Sequence, residues 1–267
     1  QDGILADLNV PYEEAKKPGE RLGMLVIPGV EITRHPDKIG HYNALFIKDA
    51  NTIYDADPEQ AIRNAKAQNA LIMHNHPGWR HPTLDMTEFE KAVYAEGLVD
   101  GLELMNGAYF YPRAFNTAKE HKLFMTSNTD VHATTAQQYR ENGHLRNMTI
   151  IFAKECTLES LREALEAHRT LCYSFGTIGG EEKLLKEFFE ASVTSKRLSV
   201  DKKGKSQRVM ITNTTSLPYT LRFGKGNPVV LRPLSSVIVN GKVGKPLKCT
   251  VLNMWCGQDE HPTLSLK

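Results

Sequence analysis

The chain has 267 residues, 40% of them hydrophobic and 24% charged, a globular composition that excludes disordered and collagen-like classes. Its 33 basic and 31 acidic residues leave a net charge of +2. No strong overall field draws in nucleic acid or an anionic membrane, so an anionic partner must be met by a local site. The longest apolar runs, such as Gly23-Met24-Leu25-Val26-Ile27, stop far short of the ~20 residues that span a bilayer.

The chain begins at Gln1 with no basic-then-apolar leader, and reads as a processed product or a fragment. In chain order, residues 25–30 and 42–47 read as strands, and residues 58–69 as a helix opened by Pro58. A short strand over 70–73 precedes a helix over 83–96, within which Thr87 and Glu90 offer a capping box. Strand 98–105, helix 111–121, strand 123–127 and strand 149–153 follow, then helix 157–168 with Thr157 as N-cap, strand 170–175 and helix 181–191. This β–α alternation predicts a parallel α/β sheet or barrel. From about Lys196 the texture changes to short strands (208–212, 219–223, 229–231, 236–239, 247–253) separated by turns such as Asn240-Gly241 and Gly224-Lys225-Gly226. A small antiparallel, sandwich-like module is expected there, which sets the domains at 1–195 and 196–267. The four cysteines, Cys156, Cys172, Cys249 and Cys256, include no C-x-x-C pair. They read as buried thiols, with a Cys249–Cys256 pairing open if the chain is exported.

Ligand-type side chains gather where these strands end. Glu31 follows the first strand, His41 opens the second, His76 lies just past 70–73, and Asp130 and His132 lie just past 123–127. In parallel α/β folds such ends converge on one face. Imidazole plus carboxylate without thiolate suits zinc, manganese or iron, and usually leaves open coordination positions. A metal there would bring the pKa of bound water to about 7 and so supply hydroxide at neutral pH. Each residue also has a plainer reading: a hydrogen-bonded loop histidine, a turn aspartate, a capping glutamate. His74, two residues before His76, is expected on the same side of an extended segment, supporting the ligands.

The runs Ile27-Pro28-Gly29-Val30-Glu31-Ile32-Thr33, Gly40-His41-Tyr42-Asn43-Ala44-Leu45-Phe46, Asn75-His76-Pro77-Gly78-Trp79 and Thr129-Asp130-Val131-His132 resemble the PHP (polymerase and histidinol phosphatase) superfamily of metal-dependent phosphoesterases. The match extends over roughly residues 1–190, in the branch with a C-terminal β-domain. The resemblance implies a distorted seven-stranded (β/α) barrel holding up to three metals. Glu31 would bridge two metals, His41 and His76 would complete the coordination of one, Asp130 would ligate the other, and His132 the third. Asn106 would line the pocket in a supporting role. Arg34 would either meet a phosphate oxygen or stay a solvated surface arginine. The His-x-His opening of the family does not occur before Leu25, so the barrel is expected to be incomplete at its N-terminus, with about one divalent metal held tightly. The implied function is hydrolysis of phosphate mono- or diesters, of small molecules in preference to polymers. A non-catalytic binding protein with a vestigial metal site, and an amidohydrolase-like hydrolase of C–N bonds, stand as alternatives.

Overall fold

The computed structural model describes residues 6–33, 38–79, 83–139 and 145–266. Packing divides the chain into two compact units: residues 1–130 with 148–170, and residues 131–147 with 171–267.

In the first unit the chain runs through α1 (Val10–Arg21), β1 (Gly29–Thr33), β2 (His41–Leu45), α2 (Pro58–Ala67), β3 (Leu71–Asn75), α3 (Glu88–Ala95), β4 (Gly101–Asn106), β5 (Tyr109–Phe110), α4 (Ala114–His121) and β6 (Phe124–Asn128). A one-turn helix α5 (Thr135–Gln138) belongs to the second unit, after which β7 (Met148–Ile151) and α6 (Leu158–Glu166) return to the first. Helices α2, α3, α5 and α6 start where a side chain takes up an orphan N–H group. The Asp57 carboxylate accepts from Glu59 N at 3.0 Å ahead of Pro58, and Thr157 accepts from Ser160 N at 3.1 Å. Thr87 and Glu90 close a full capping box, but at the start of α3 and not midway along a longer helix. α1 has no predicted counterpart. Only Gly19 of it is buried, so there was no apolar stripe for periodicity to register.

The sheet of this unit has six strands, β1-β2-β3-β4-β5 with β6 on β4. It is mixed, and the expectation of uniformly parallel pairing is corrected here. β1–β2, β2–β3 and β4–β5 are antiparallel, while β3–β4 and β4–β6 are parallel. The physical reason is the length of the β1–β2 connection: residues 34–40 are too few to carry a crossover, so the chain turns back on itself. β2 therefore runs against β1, β3, β4 and β6. One face of the sheet buries Ile32, Tyr42, Ala44, Ile72 and His74. On β4, Gly101 sits opposite Phe124, whose ring would lie 2.1 Å from any added Cβ. Leu71, Met73, Phe124 and Leu165 form a buried cluster, with Leu45, Phe46 and Ile151 against it.

The second unit contains β8 (Thr170–Ser174), β9 (Thr177–Gly180), α7 (Glu182–Ser192), β10 (Val193–Val200), β11 (Ser206–Asn213), β12 (Tyr219–Arg222), β13 (Val229–Leu231), β14 (Ser236–Lys242), β15 (Leu247–Val251), β16 (Met254–Trp255) and β17 (Thr263–Leu266). β8 and β9 form a hairpin that the sequence reading missed. Its turn residues, Phe175 and Gly176, both take positive φ (45° and 84°), and a phenylalanine there masks the usual Asn-Gly signal. β9 pairs in parallel with β16. Beyond α7 the described residues carry strands and no helix: a sheet β10-β11-β14 and a sheet β13-β12-β15-β17, antiparallel throughout. No helix among the described residues is long and apolar enough to cross a membrane.

Candidate metal centre

β1, β2 and β3 bring the first cluster of ligand-type groups together through register. Glu31 pairs with Asn43 and Thr33 with His41 across β1–β2, while His41 pairs with Asn75 across β2–β3. Directly paired residues share a face, and diagonal neighbours lie within reach of long side chains. Glu31, His41 and Asn75 thus occupy the face opposite the buried Tyr42 and His74. Glu31 lies within β1, not after its end, and His41 stands at the N-terminal end of a reversed strand. Because β2 is antiparallel, that end lies beside the C-terminal ends of β1 and β3.

His76 follows β3, where plain alternation would put it on the His74 side. Its backbone instead takes φ 30°, and its ring meets His41 edge-on, centroids 5.0 Å apart. The bend is fixed from both sides. The His76 carbonyl accepts from Trp79 N at 2.9 Å across the Pro77-Gly78 turn, and a Cβ on Gly78 would lie 2.6 Å from the Tyr111 ring. The His76 N–H donates to Glu103 Oε2 at 2.6 Å. Asp130, just past β6, also takes a left-handed backbone, φ 46°. Such backbone strain persists only where its surroundings impose it.

Glu31, His41 and His76 each offer a ligand atom, all within 4.8 Å of one another. His41 Nδ1 stands 3.2 Å from Glu31 Oε1. Burial, then the neighbouring His41, push the His76 pKa down, with Asp130 and Glu31 pulling the other way. His76 is thereby held neutral near pH 7, with a lone pair to offer. The Asn75 carbonyl oxygen Oδ1, buried on the same face as His41, has no hydrogen-bond partner among the described residues. Two imidazoles, a carboxylate and an orphaned buried oxygen make a donor set that fits a divalent cation with open positions. Trp79, 46% exposed, stands 5.3 Å from the His76 ring and 5.9 Å from the His41 ring.

Other site expectations fall differently. His74 is corrected away from the ligand side. It stacks on Tyr42 (4.8 Å), shares a 2.8 Å hydrogen bond with Tyr94 Oη, and faces Glu90 of α3 at 3.5 Å. Burial, reinforced by His76 and His41, lowers its pKa to about 3. Asn106 is buried and donates to Glu103 Oε2 at 2.9 Å, so its supporting role is to brace a carboxylate. Asp130 lies near enough to act electrostatically on His76 and Glu103. His132 belongs to the second unit and is not in the cluster. Arg34 lies outside the described residues.

The residue missed altogether is Glu103. It is 2% exposed and accepts from His76 N, from Asn106 and, through Oε1, from Asn128 Nδ2 at 2.8 Å. Burial outweighs these three donors and raises its pKa to about 7. The available signal was a lone carboxylate inside the apolar run Leu102-Glu103-Leu104-Met105, since unpaired charges are rarely buried.

A solved structure from Bacteroides vulgatus superposes on 98% of this chain and 80% of its own, with a TM-score of 0.91 and 31% sequence identity. It is a two-domain protein containing a predicted PHP-like metal-dependent phosphoesterase. The chain belongs to this PHP-like family. No family model matches it, and neither does any curated protein. For a PHP-like chain, a divalent metal is the group to which the Glu31–His41–His76 cluster is suited.

Proposed function

We propose that this protein is a metal-dependent hydrolase of phosphate esters, with Glu31, His41 and His76 as the first metal ligands. The observation that carries the reading is the convergence of their ligand atoms within 4.8 Å in a chain of PHP-like family. A divalent ion held there supplies Lewis acidity, offsetting charge on phosphoryl oxygens and acidifying water. Glu31 would contribute a carboxylate ligand and its negative charge. His41 and the neutral His76 contribute lone pairs, with the His76 backbone clamped by Glu103. Asp130 and His132 are proposed as ligands of further metals. The substrate class proposed is a small phosphate monoester or diester, and zinc, manganese and iron are the metals to compare.

The test is metal analysis of the purified chain after dialysis, together with hydrolysis of p-nitrophenyl phosphate and bis-(p-nitrophenyl) phosphate. About one tightly held ion per chain is expected, with turnover lost in chelator and restored by metal. Glu31→Ala is expected to lose both the ion and the turnover, since each lost ligand must be replaced by water. Unchanged metal content in Glu31→Ala, or turnover of C–N substrates with none of phosphoesters, would overturn the proposal.

A further inference from the structure

The net charge of +2 conceals a division. Residues 193–267 hold thirteen Lys and Arg against three Asp and Glu, a net of +10, while residues 1–192 hold twenty against twenty-eight, a net of −8. None of the basic side chains in 193–266 takes part in an ion pair among the described residues, whereas those of the earlier helices do so repeatedly. Charge segregated this way marks an electrostatic footprint for a polyanion.

The footprint has a focus. On the sheet β13-β12-β15-β17, Leu221, Cys249, Val251 and Leu264 are buried on one face. The other face carries a cross-strand row, Arg222–Thr250–Thr263, with Lys248 two residues before Thr250 and so on the same side. The turn Gly224-Lys225-Gly226 walls this face, its geometry set by Gly224 at φ 59°. Together they enclose a groove of about 570 Å³ lined by Arg222, Lys225 and Lys248, with no carboxylate. The Thr250 and Thr263 hydroxyls bond each other at 3.0 Å. Whichever of them donates, the other keeps its proton for an anion oxygen.

We propose that this groove seats the phosphate backbone of duplex nucleic acid, bound without sequence preference. Cations and hydroxyls at a sheet face are what phosphate contacts require. Single strands and sugar rings are held by stacking on aromatic side chains. The large hydrophobic side chains exposed in 193–266 are Leu198, Val200, Val230, Leu234 and Ile238, all aliphatic.

The experiment is a fluorescence-anisotropy titration of the full chain against a labelled duplex of about 20 base pairs, from about 50 mM to about 200 mM salt. Chelator is present throughout, so the metal centre takes no part and the outcome is separable from the proposed hydrolysis. Binding is expected to weaken steeply with salt. Combining Arg222→Gln, Lys225→Gln and Lys248→Gln should weaken it at least about tenfold at the low-salt end and reduce the log–log salt slope by about three. All three side chains are exposed, and an unchanged thermal melt verifies the fold. Lys225→Glu alone, at the tip of the turn, provides a second variant and should weaken binding in the same direction. No binding at about 50 mM salt would overturn the proposal. So would an equal loss in the off-groove pair Lys202→Gln, Lys203→Gln, or binding confined to an acidic polysaccharide, to phosphatidylserine vesicles or to a second copy of the chain.

Discussion

His76 becomes a cluster member through one backbone angle, and Glu103 holds that angle by accepting its N–H. Glu103→Ala would leave the His76 N–H and the Asn106 amide without their acceptor in a buried site, at about 1–3 kcal/mol for each group left unpaired, while the Asn128 amide keeps Thr126 Oγ1 at 3.0 Å. Thermal unfolding should show a loss of several kcal/mol, with weaker metal retention after dialysis. Glu103→Gln keeps an acceptor oxygen and should retain more of both. The same pair reports on pH. The folded pKa of Glu103 lies above its unfolded value, 4.5 raised to about 7. Its contribution to stability is therefore complete below pH 4.5 and is lost as pH rises through 7, by about 3 kcal/mol at roughly 1.4 kcal/mol per pH unit. His74 acts in the opposite sense: its folded pKa is depressed to about 3 from 6.5, so its contribution is lost as pH falls from 6.5 towards 3. In metal-free protein the two trends oppose each other between about pH 4.5 and 6.5. The Glu103→Gln variant removes the first and should grow more stable relative to wild type as pH rises from 4.5 to 7. A pH-independent difference would show that Glu103 is ionised throughout.

At the scale of elements, the reversal of β2 is what assembles the cluster. Gly40, immediately before His41, has φ 81°, and an added Cβ would stand 2.9 Å from His74 Nε2 and 3.4 Å from Glu90 Oε1. Gly40→Ala combines left-handed strain of about 1 kcal/mol with a clash against a buried histidine, and should cost about 2–3 kcal/mol in a denaturant melt. Thr87→Ala, which removes only the N-cap of α3, should cost about 1 kcal/mol. If the two variants melted alike, the close approach at Gly40 would carry no energetic weight. Helices α2, α3 and α6 were legible from caps and apolar spacing because those signals are local. The direction of β2 was not: residues 42–47 read as a strand whichever way it runs, and only the short connection to β1 hinted at reversal.

For the whole molecule, the strands beyond residue 196 belong to a unit that also includes α7 and the β8–β9 hairpin. Removing residues 197–267 takes away β11, the partner of β10, and β16, the parallel partner of β9. It also removes Tyr219, whose ring packs on Phe189 of α7 at 5.1 Å. Backbone amides of residues 177–192 should then exchange hydrogen at rates near those of an unfolded chain. Persistent protection there would show that the β9–α7 segment folds without these strands.

The sequence by itself determined the composition of the elements and the chemistry available to them. Glu31, His41 and His76 were identifiable as ligand-type side chains beside short apolar runs, although Glu31 proved to lie within its strand and not past its end, and the change to short strands near 196 because hydrophobic periodicity changes there. Tertiary structure alone decided which of these groups meet. The antiparallel pairing of β2, the left-handed turn at His76, the rotation of His74 onto Tyr94 and Glu90, and the burial of Glu103 beneath His76 all depend on contacts between residues far apart in the chain. Local propensity carries no information about them, since side-chain direction reverses with a single residue of register or one unusual φ.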